Sequence, residues 1–315
     1  MRMSTWIRQH IAALRALLVL TVITGIIYPA VVLGISQIPG LKDKADGSLI
    51  TKDGKLVGSS LIGQAFTDGK GNALVQYFQT RPSNSAPSDG SIPDGYDPTN
   101  SSFGNMGPES IVDTLDPADP KKDKQALLST VCSRSLAVAT LEGVDGHRPF
   151  CTGGSPTDSA SVGSVLAVIG PRDAHGNVEH PTKVISVNEA CSTDPKNPTK
   201  PFQQAYQGVT VECAQRGVDY SDGQIVPIRG DASVDTAVPT DAVTASGSGL
   251  DPQISPAYAA IQVARVAKAR GVSDDQIKAM VDSHTTGRAL GFMGEKTVNV
   301  VQLNYDLDSK YPFKG

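Results

Sequence analysis

No serine in this chain sits in the G-x-S-x-G turn that exposes a hydrolase nucleophile. In "SGSG", starting at Ser246, the leading glycine is missing. "EKTV" at Glu295 lacks the glycine of K-T-G, and no S-x-x-K accompanies it, so a penicillin-binding or β-lactamase site is excluded. H-E-x-x-H is absent: "HGNVEH" (His175–His180) has the wrong spacing and is boxed by Pro171 and Pro181, which fits exposed loop histidines better than a metal site. G-x-x-x-x-G-K-[ST] is absent too, so nothing marks a nucleotide-binding P-loop. There is no basic surplus. The net charge is −4, which removes the electrostatic basis for binding nucleic acid. Aromatic residues are scarce at 5%, while glycine (31) and proline (21) are plentiful, so the soluble core is expected to be modest and rich in loops. A partner or covalent staples would support such a core.

What is present begins near the start. Ala16–Ser36, "ALLVLTVITGIIYPAVVLGIS", carries no charge. A helix needs roughly 20 such residues to cross the hydrocarbon core. The alternative is a cleaved signal peptide, whose apolar region is about 7–15 residues long. This run is longer and no convincing small-x-small cleavage site follows, so it is read as an uncleaved anchor. Gly25 and Pro29 within it suit a packed, slightly kinked membrane helix. No second apolar run of this length exists, so a single crossing is expected. Arg2, Arg8 and Arg15 before the run and Lys42, Lys44, Lys52 and Lys55 after it leave the positive-inside rule undecided. The cysteines are more informative. Cys132, Cys151, Cys191 and Cys213 all follow the anchor without a C-x-x-C pair. That even count reads as two disulfides with three possible pairings, against an alternative of four free thiols. Disulfides place the tail outside the cytoplasm.

Along the tail, Gly47–Ser60 reads as two short strands around an Asp53-Gly54 turn. Ser83–Gly107 should be irregular. Pro120–Leu141 is expected to be helical, with Leu127, Val131, Val138 and Leu141 on one face and Cys132 beside that stripe. "SVLAVIG" at Ser164, "KVISV" at Lys183 and "GVTVEC" at Gly208 read as strands of a small β-rich module stapled by cysteines. In "ASGSGLDPQISPAYAAIQVARVAKARG" (Ala245–Gly271), Ser255 and Pro256 open a helix that buries Ala259, Val263, Val266 and Ala267 and ends at Gly271. The preceding loop could meet an anion at the helix N-terminus. It has no lysine, however, and Asp251 opposes a phosphate, so a tight turn is the better reading. Ser273 and Gln276 form a capping-box pattern before a helix with Ile277, Met280 and Val281 on its apolar side, and His284 is placed to cap its end. Thr297–Asp308 alternates apolar Val301, Leu303, Tyr305 and Leu307 with polar residues, which reads as a half-buried strand.

An ordered set of segments adds a resemblance. It comprises Tyr28-Pro29 with Gln37, "GSLI" (Gly47–Ile50), "VGSSLIGQ" (Val57–Gln64) with Phe66, "YFQTRPS" (Tyr77–Ser83), "SSFGNMGP" (Ser101–Pro108), Val243–Gly271, and "HTTGRALGFMGEKTVNVVQLNYDLD" (His284–Asp308). Together they resemble the KdpC family of the Kdp potassium-transporting P-type ATPases, over roughly Ala16–Pro108 and Val238–Asp308. The resemblance implies a non-catalytic accessory subunit in the cell membrane, packed on a channel-like subunit and a P-type ATPase subunit. Those partners handle potassium and ATP. It also implies a catalytic-chaperone role in raising nucleotide affinity, for which Ser246, Gly247, Ser248, Gly249 and Gln253 are the candidate contacts. No cofactor or metal is expected on this chain. The layout that follows is a cytoplasmic 1–15, a membrane helix 16–36 packing through Gly25, Tyr28 and Pro29, and an α/β (α+β) extracytoplasmic domain over 37–141 and 232–315. Residues 142–231 form an inserted β-rich cysteine module that departs from the family. The competing reading is a membrane-tethered extracytoplasmic enzyme or binding module unrelated to transport.

Overall fold

A computed structural model describes residues 3–52, 54–85, 95–99, 109–190 and 200–315. The chain is a mixed α/β protein that divides into two compact units, Met1–Leu61 and Ile62–Gly315. "SSFGNMGP" and Cys191 lie outside the described residues.

The first unit opens with α1 (Met3–Val22), a π-helical segment (Ile23–Ile27) and α2 (Tyr28–Ser36). Ser4–Ser36 is the one helix among the described residues long and apolar enough to cross a membrane. That π turn spans Gly25 and ends just before Pro29, the positions where a slight kink is expected. The Tyr28 amide bonds back five residues to the Ile23 carbonyl, immediately before a proline that has no N–H to offer. A short α3 (Lys42–Ala45) leads to β1 (Leu49–Lys52) and β2 (Lys55–Ser59), an antiparallel hairpin closed at Lys52 opposite Lys55. Gly54 supplies the positive φ (74°) that so tight a turn needs.

In the second unit, α4 covers Leu127–Glu142, shorter than the expected Pro120–Leu141. Pro120–Lys122 is instead a single 3-10 turn capped by Asp119, and Lys124 bridges to Thr114 in extended conformation. Of the expected apolar stripe, Val131 and Val138 pack half-buried against the core, but the fully buried face of the helix is a different one. It holds Ser129, Cys132, Ser135, Leu136 and Ala139, while Leu127 is exposed. The buried hydroxyls are satisfied: Ser135 Oγ donates to the Gly146 carbonyl (2.8 Å) and Ser129 Oγ accepts from the Gly163 amide (3.0 Å). Small, internally bonded residues can therefore occupy a packing face that hydrophobic spacing alone overlooks.

The β-rich runs form strands β3 (Val165–Ile169), β4 (Lys183–Ala190), β5 (Ala205–Tyr206), β6 (Val209–Ala214) and β7 (Gln224–Pro227). They make one sheet in the order β5-β6-β4-β3-β7, antiparallel except for the β4–β6 pair. Both faces of its centre are buried. Val165, Ala167, Ile185 and Val187 share one cluster, and Leu166, Val168 and Val184 share the other. A disulfide joins Cys132 on α4 to Cys151. Cys213 is disulfide-bonded too, and no cysteine among the described residues is free.

The remaining chain builds a second core from β8 (Gln253–Ile254), α5 (Pro256–Arg270), α6 (Asp274–Ser283), β9 (Thr285–Thr286), β10 (Thr297–Asn299) and α7 (Val300–Lys310), with a small sheet ordered β8-β10-β9. Here α5 and α6 follow the sequence reading. Ser255 Oγ caps Tyr258, Gly271 adopts the left-handed cap, and Ser273 with Gln276 completes a capping box. His284 Nδ1 meets the Met280 carbonyl at 2.8 Å. The expected strand over Thr297–Asp308 is overturned, since only Thr297–Asn299 is extended and α7 occupies the rest. The Asn299 side chain accepts from the Gln302 amide and starts the helix. Val300, Leu303, Asn304 and Leu307 then fall at helical spacing and are all buried. Leu303 and Leu307 fit both periodicities over so short a run, and the cap and the core decide between them.

Candidate functional site

The segment Val75–Ser83 is the centre on which the tail's recognisable motifs converge. Its backbone is gripped by α5 and α7. Gln262 accepts from the Gln79 amide (2.6 Å) and donates to its carbonyl (3.2 Å). Asn304 does the same for Phe78, at 2.9 Å each way. Arg265 donates to the Val75 and Tyr77 carbonyls (2.7 and 2.9 Å) while pairing with Glu142 (3.0 Å), and both side chains are nearly shut off from solvent at 9% and 1% exposure. Desolvation raises the Glu142 pKa against the opposing pull of Arg265. Arg270 is fully buried. It donates to the Gln76 and Tyr311 carbonyls, pairs with Asp308 at 2.9 Å, and lies over the Tyr77 ring.

The next residues of that segment meet the candidate loop. Arg81 donates to the Thr244 and Ala245 carbonyls and pairs with Asp251 at 3.1 Å. The Ser246 amide donates to the Pro82 carbonyl, and Ser83 Oγ donates to the Gly249 carbonyl (2.7 Å). Gly249 closes the turn by donating its amide to Ser246 Oγ (3.1 Å). It sits at φ 75°, and a Cβ there would collide with the Ser85 Cβ. The structure thus brings Ser246, Gly247, Ser248 and Gly249 into one turn, with Ser246 and Gly249 buried and Gly247 exposed. Gln253 is exposed and stands apart on β8, opposite Asn299 of β10.

Beside this turn lies a cleft of about 390 Å³ lined by Thr80, Arg81, Tyr96, Arg134, Val138 and Tyr258. Burial pushes the Tyr96 hydroxyl up to about 12 and raises Tyr258 as well, so both remain protonated donors at neutral pH. Tyr96 OH donates to the Arg81 carbonyl at 2.8 Å. Arg134 donates to the Val243 carbonyl (3.1 Å). The two arginines therefore hold three consecutive carbonyls, Val243–Ala245, that lead into the turn. Polar groups that could have met a phosphate are spent on the loop's own backbone and on Asp251. Among the described residues no group of three or more His, Cys, Asp or Glu side chains is arranged to hold a metal ion.

One surface escaped the sequence reading. The segment between β9 and β10 folds back on itself through an Ala289–Met293 bridge, with Leu290 (φ 52°) and Gly291 (φ 81°) at its tip. Leu290, Phe292 and Met293 are 83%, 73% and 53% exposed. The glycines at 287, 291 and 294 were the available signal for a turn there.

A family model described as "KdpC: K+-transporting ATPase, c chain" matches residues 10–122 and 221–309. The chain is 31% identical over 301 residues to the "Potassium-transporting ATPase KdpC subunit" of Mycobacterium tuberculosis (strain ATCC 25618 / H37Rv), covering 96% of this chain and 98% of that protein. It is 32% identical over 306 residues to the protein of the same description from Kineococcus radiotolerans, covering 97% and 96%. With that of Streptomyces coelicolor it shares 32% identity over 308 residues, covering 95% and 92%.

Proposed function

Since this chain belongs to the KdpC family of K+-transporting ATPase c chains, we propose that it is the non-catalytic accessory subunit of a potassium-uptake complex. It is anchored by residues 16–36 of the long apolar helix Ser4–Ser36, with residues 1–15 in the cytoplasm and the chain from residue 37 onward outside. Its partners are a channel-like subunit and a P-type ATPase subunit, which carry potassium and hydrolyse ATP. The observation that carries this reading is that the segments behind the resemblance interlock as scaffold: Val75–Ser83, the Val243–Asp251 turn, α5 and α7 satisfy one another's polar groups. Such a cluster suits a body that holds other subunits in place. The exposed Leu290, Phe292 and Met293 are the apolar surface expected of a subunit that docks.

A catalytic-chaperone effect on nucleotide affinity then acts through the arrangement of the other subunits, and Ser246–Gly249 is a structural turn. The disulfide-bonded β-rich module at 142–231 fits an oxidising exterior and sits in a loop that tolerates insertion. The deciding experiment is co-purification of a tagged chain from potassium-starved cells in mild detergent. Recovery of a multi-span channel-like protein and a P-type ATPase with potassium-stimulated ATP hydrolysis supports the proposal. A chain recovered alone, whose tail binds or converts a small molecule, supports the tethered-module reading instead.

A further inference from the structure

We propose that the cleft between residues 110–124 and the β3–β7 sheet binds a small apolar monocarboxylate, an alkanoate, with its chain against the sheet and its carboxylate at Lys122, Lys124 and the Tyr220 hydroxyl.

The two walls of this cleft are tied together at both ends and stand apart between. At one end Asn188 of β4 accepts from the Asp113 amide (2.9 Å) and donates to the Ile111 carbonyl (3.0 Å). At the other, the Gly217 amide donates to the Leu115 carbonyl (3.2 Å) and Arg216 to the Asp116 carbonyl (3.1 Å). The walls meet closely there, since a Cβ on Gly217 would come within 2.7 Å of Pro117 Cβ. Between these ties remains a cavity of about 870 Å³. Small-molecule sites occupy roughly 300–1,000 Å³. Its inner surface is apolar, with Val187 and Ala214 buried and Val112, Leu115 and Ile225 half-buried. Asp113 also lines it, but its carboxyl is spent on the Ala126 amide (2.7 Å), and desolvation raises its pKa. The inner end is therefore dry. Val187, Ala214 and Tyr220 lie between residues 122 and 221, the stretch that the family model does not match. The segments shared across the family thus do not complete this site.

Charge sits on the exposed rim, and only part of it is matched. Asp116 accepts from the Ala118 and Asp119 amides (2.9 Å each), and Asp219 accepts from the Ser221 amide and hydroxyl (2.8 and 2.9 Å). The Tyr220 oxygen accepts from the Gln215 amide (2.9 Å), which leaves its hydrogen free to donate. Among the described residues, Nζ of Lys122 and Nζ of Lys124 have no hydrogen-bond or ion-pair partner. The unspent groups are thus donors, two of them cationic, beside an apolar space. That pattern selects a negatively charged acceptor on an apolar chain. Asp116 and Asp219 stay close by and oppose a second negative charge, so a carboxylate fits where a phosphate dianion does not.

The test uses the full chain in lipid nanodiscs. The probes are a decanoic acid carrying a diazirine and the matching decanol, with cross-linked peptides mapped by mass spectrometry. Label on residues 16–36 reports partition into lipid and normalises the rest. The acid is expected to label residues 110–124 or 214–225, and excess octanoate should remove that label. The alcohol should label the cleft about tenfold less. Lys122→Gln with Lys124→Gln, both at exposed positions, should lower cleft labelling by the acid about tenfold with the unfolding midpoint unchanged. Lys122→Arg with Lys124→Arg should retain it. Equal cleft labelling by acid and alcohol, wild-type labelling in the double glutamine variant, or acid label confined to residues 16–36 overturns the inference. None of these outcomes bears on the functional proposal, which co-purification decides.

Discussion

Asn304 of α7 treats Phe78 as a neighbouring strand would, accepting its amide and donating to its carbonyl at 2.9 Å each, across 226 residues of sequence. Gln262 of α5 does the same for Gln79. Two buried side-chain amides thus replace a missing β-ladder for an extended segment threaded between helices. Asn304→Leu leaves two buried backbone groups unpaired, each worth about 1–3 kcal/mol. The expected result is a loss of about 2–5 kcal/mol in denaturant unfolding of the detergent-solubilised chain. A loss below about 0.5 kcal/mol would mean that water replaces the amide.

The Glu142–Arg265 pair joins α4 to α5 with almost no solvent contact. Removing one partner strands a buried charge, so Glu142→Ala is expected to cost about 3–5 kcal/mol. Replacing both with Glu142→Leu and Arg265→Met should recover only the part due to the stranded charge, because Arg265→Met also leaves the Val75 and Tyr77 carbonyls without their donor. The double-mutant cycle, read from unfolding midpoints, checks it.

Glu189 has its pKa raised by desolvation, opposed by the Phe202 amide and the Ser186 hydroxyl. A carboxyl whose folded pKa lies above its unfolded value holds its proton longer in the native state. Its contribution therefore weakens as pH rises through the window from the ordinary value of 4.5 up to the raised one. Glu189→Gln, which can still accept from Phe202, should gain stability relative to wild type as pH climbs above that ordinary value. Parallel pH–stability curves for the two proteins would contradict this.

Cys132–Cys151 closes a loop of 19 residues. On the chain-entropy account, Cys132→Ala costs about 3 kcal/mol. Thiol labelling of the oxidised wild type should detect no reactive cysteine until a reductant is added, and reduction should lower the unfolding midpoint as the mutation does.

Gly249 and Gly247 separate a structural turn from a ligand cradle. A Cβ at 249 collides with Ser85 at a positive φ, whereas one at 247 meets nothing within 4 Å. Gly249→Ala should destabilise the tail by about 1–3 kcal/mol or more. Gly247→Ala and Gln253→Ala should change neither stability nor the apparent KM for ATP of the assembled complex. A raised KM in either of those two, with assembly intact, would restore the loop as a nucleotide contact.

Local chemistry made much of this protein legible in advance. An uncharged run long enough for a membrane, a glycine after Asp53, a Ser-Pro helix start before Tyr258, and a Ser273–Gln276 capping box are each decided within a few residues, so sequence alone determined them. So did the order of motifs that marks the family. Tertiary structure decided what depends on partners distant in sequence. Polar Ser129 and Ser135 are buried because the Gly163 amide and the Gly146 carbonyl meet them. The run after Asn299 is a helix because its cap and the core outweigh an alternating pattern that fits a strand equally well. The serine-glycine loop is read as a turn, not a cradle, because Arg81, Ser83 and Ser85, all more than 160 residues earlier in the chain, fill the space and take the charges a ligand would have used. Spacing along a chain carries periodicity and caps. It does not carry which distant group will satisfy a buried carbonyl, and in this tail that satisfaction sets the architecture around the candidate site.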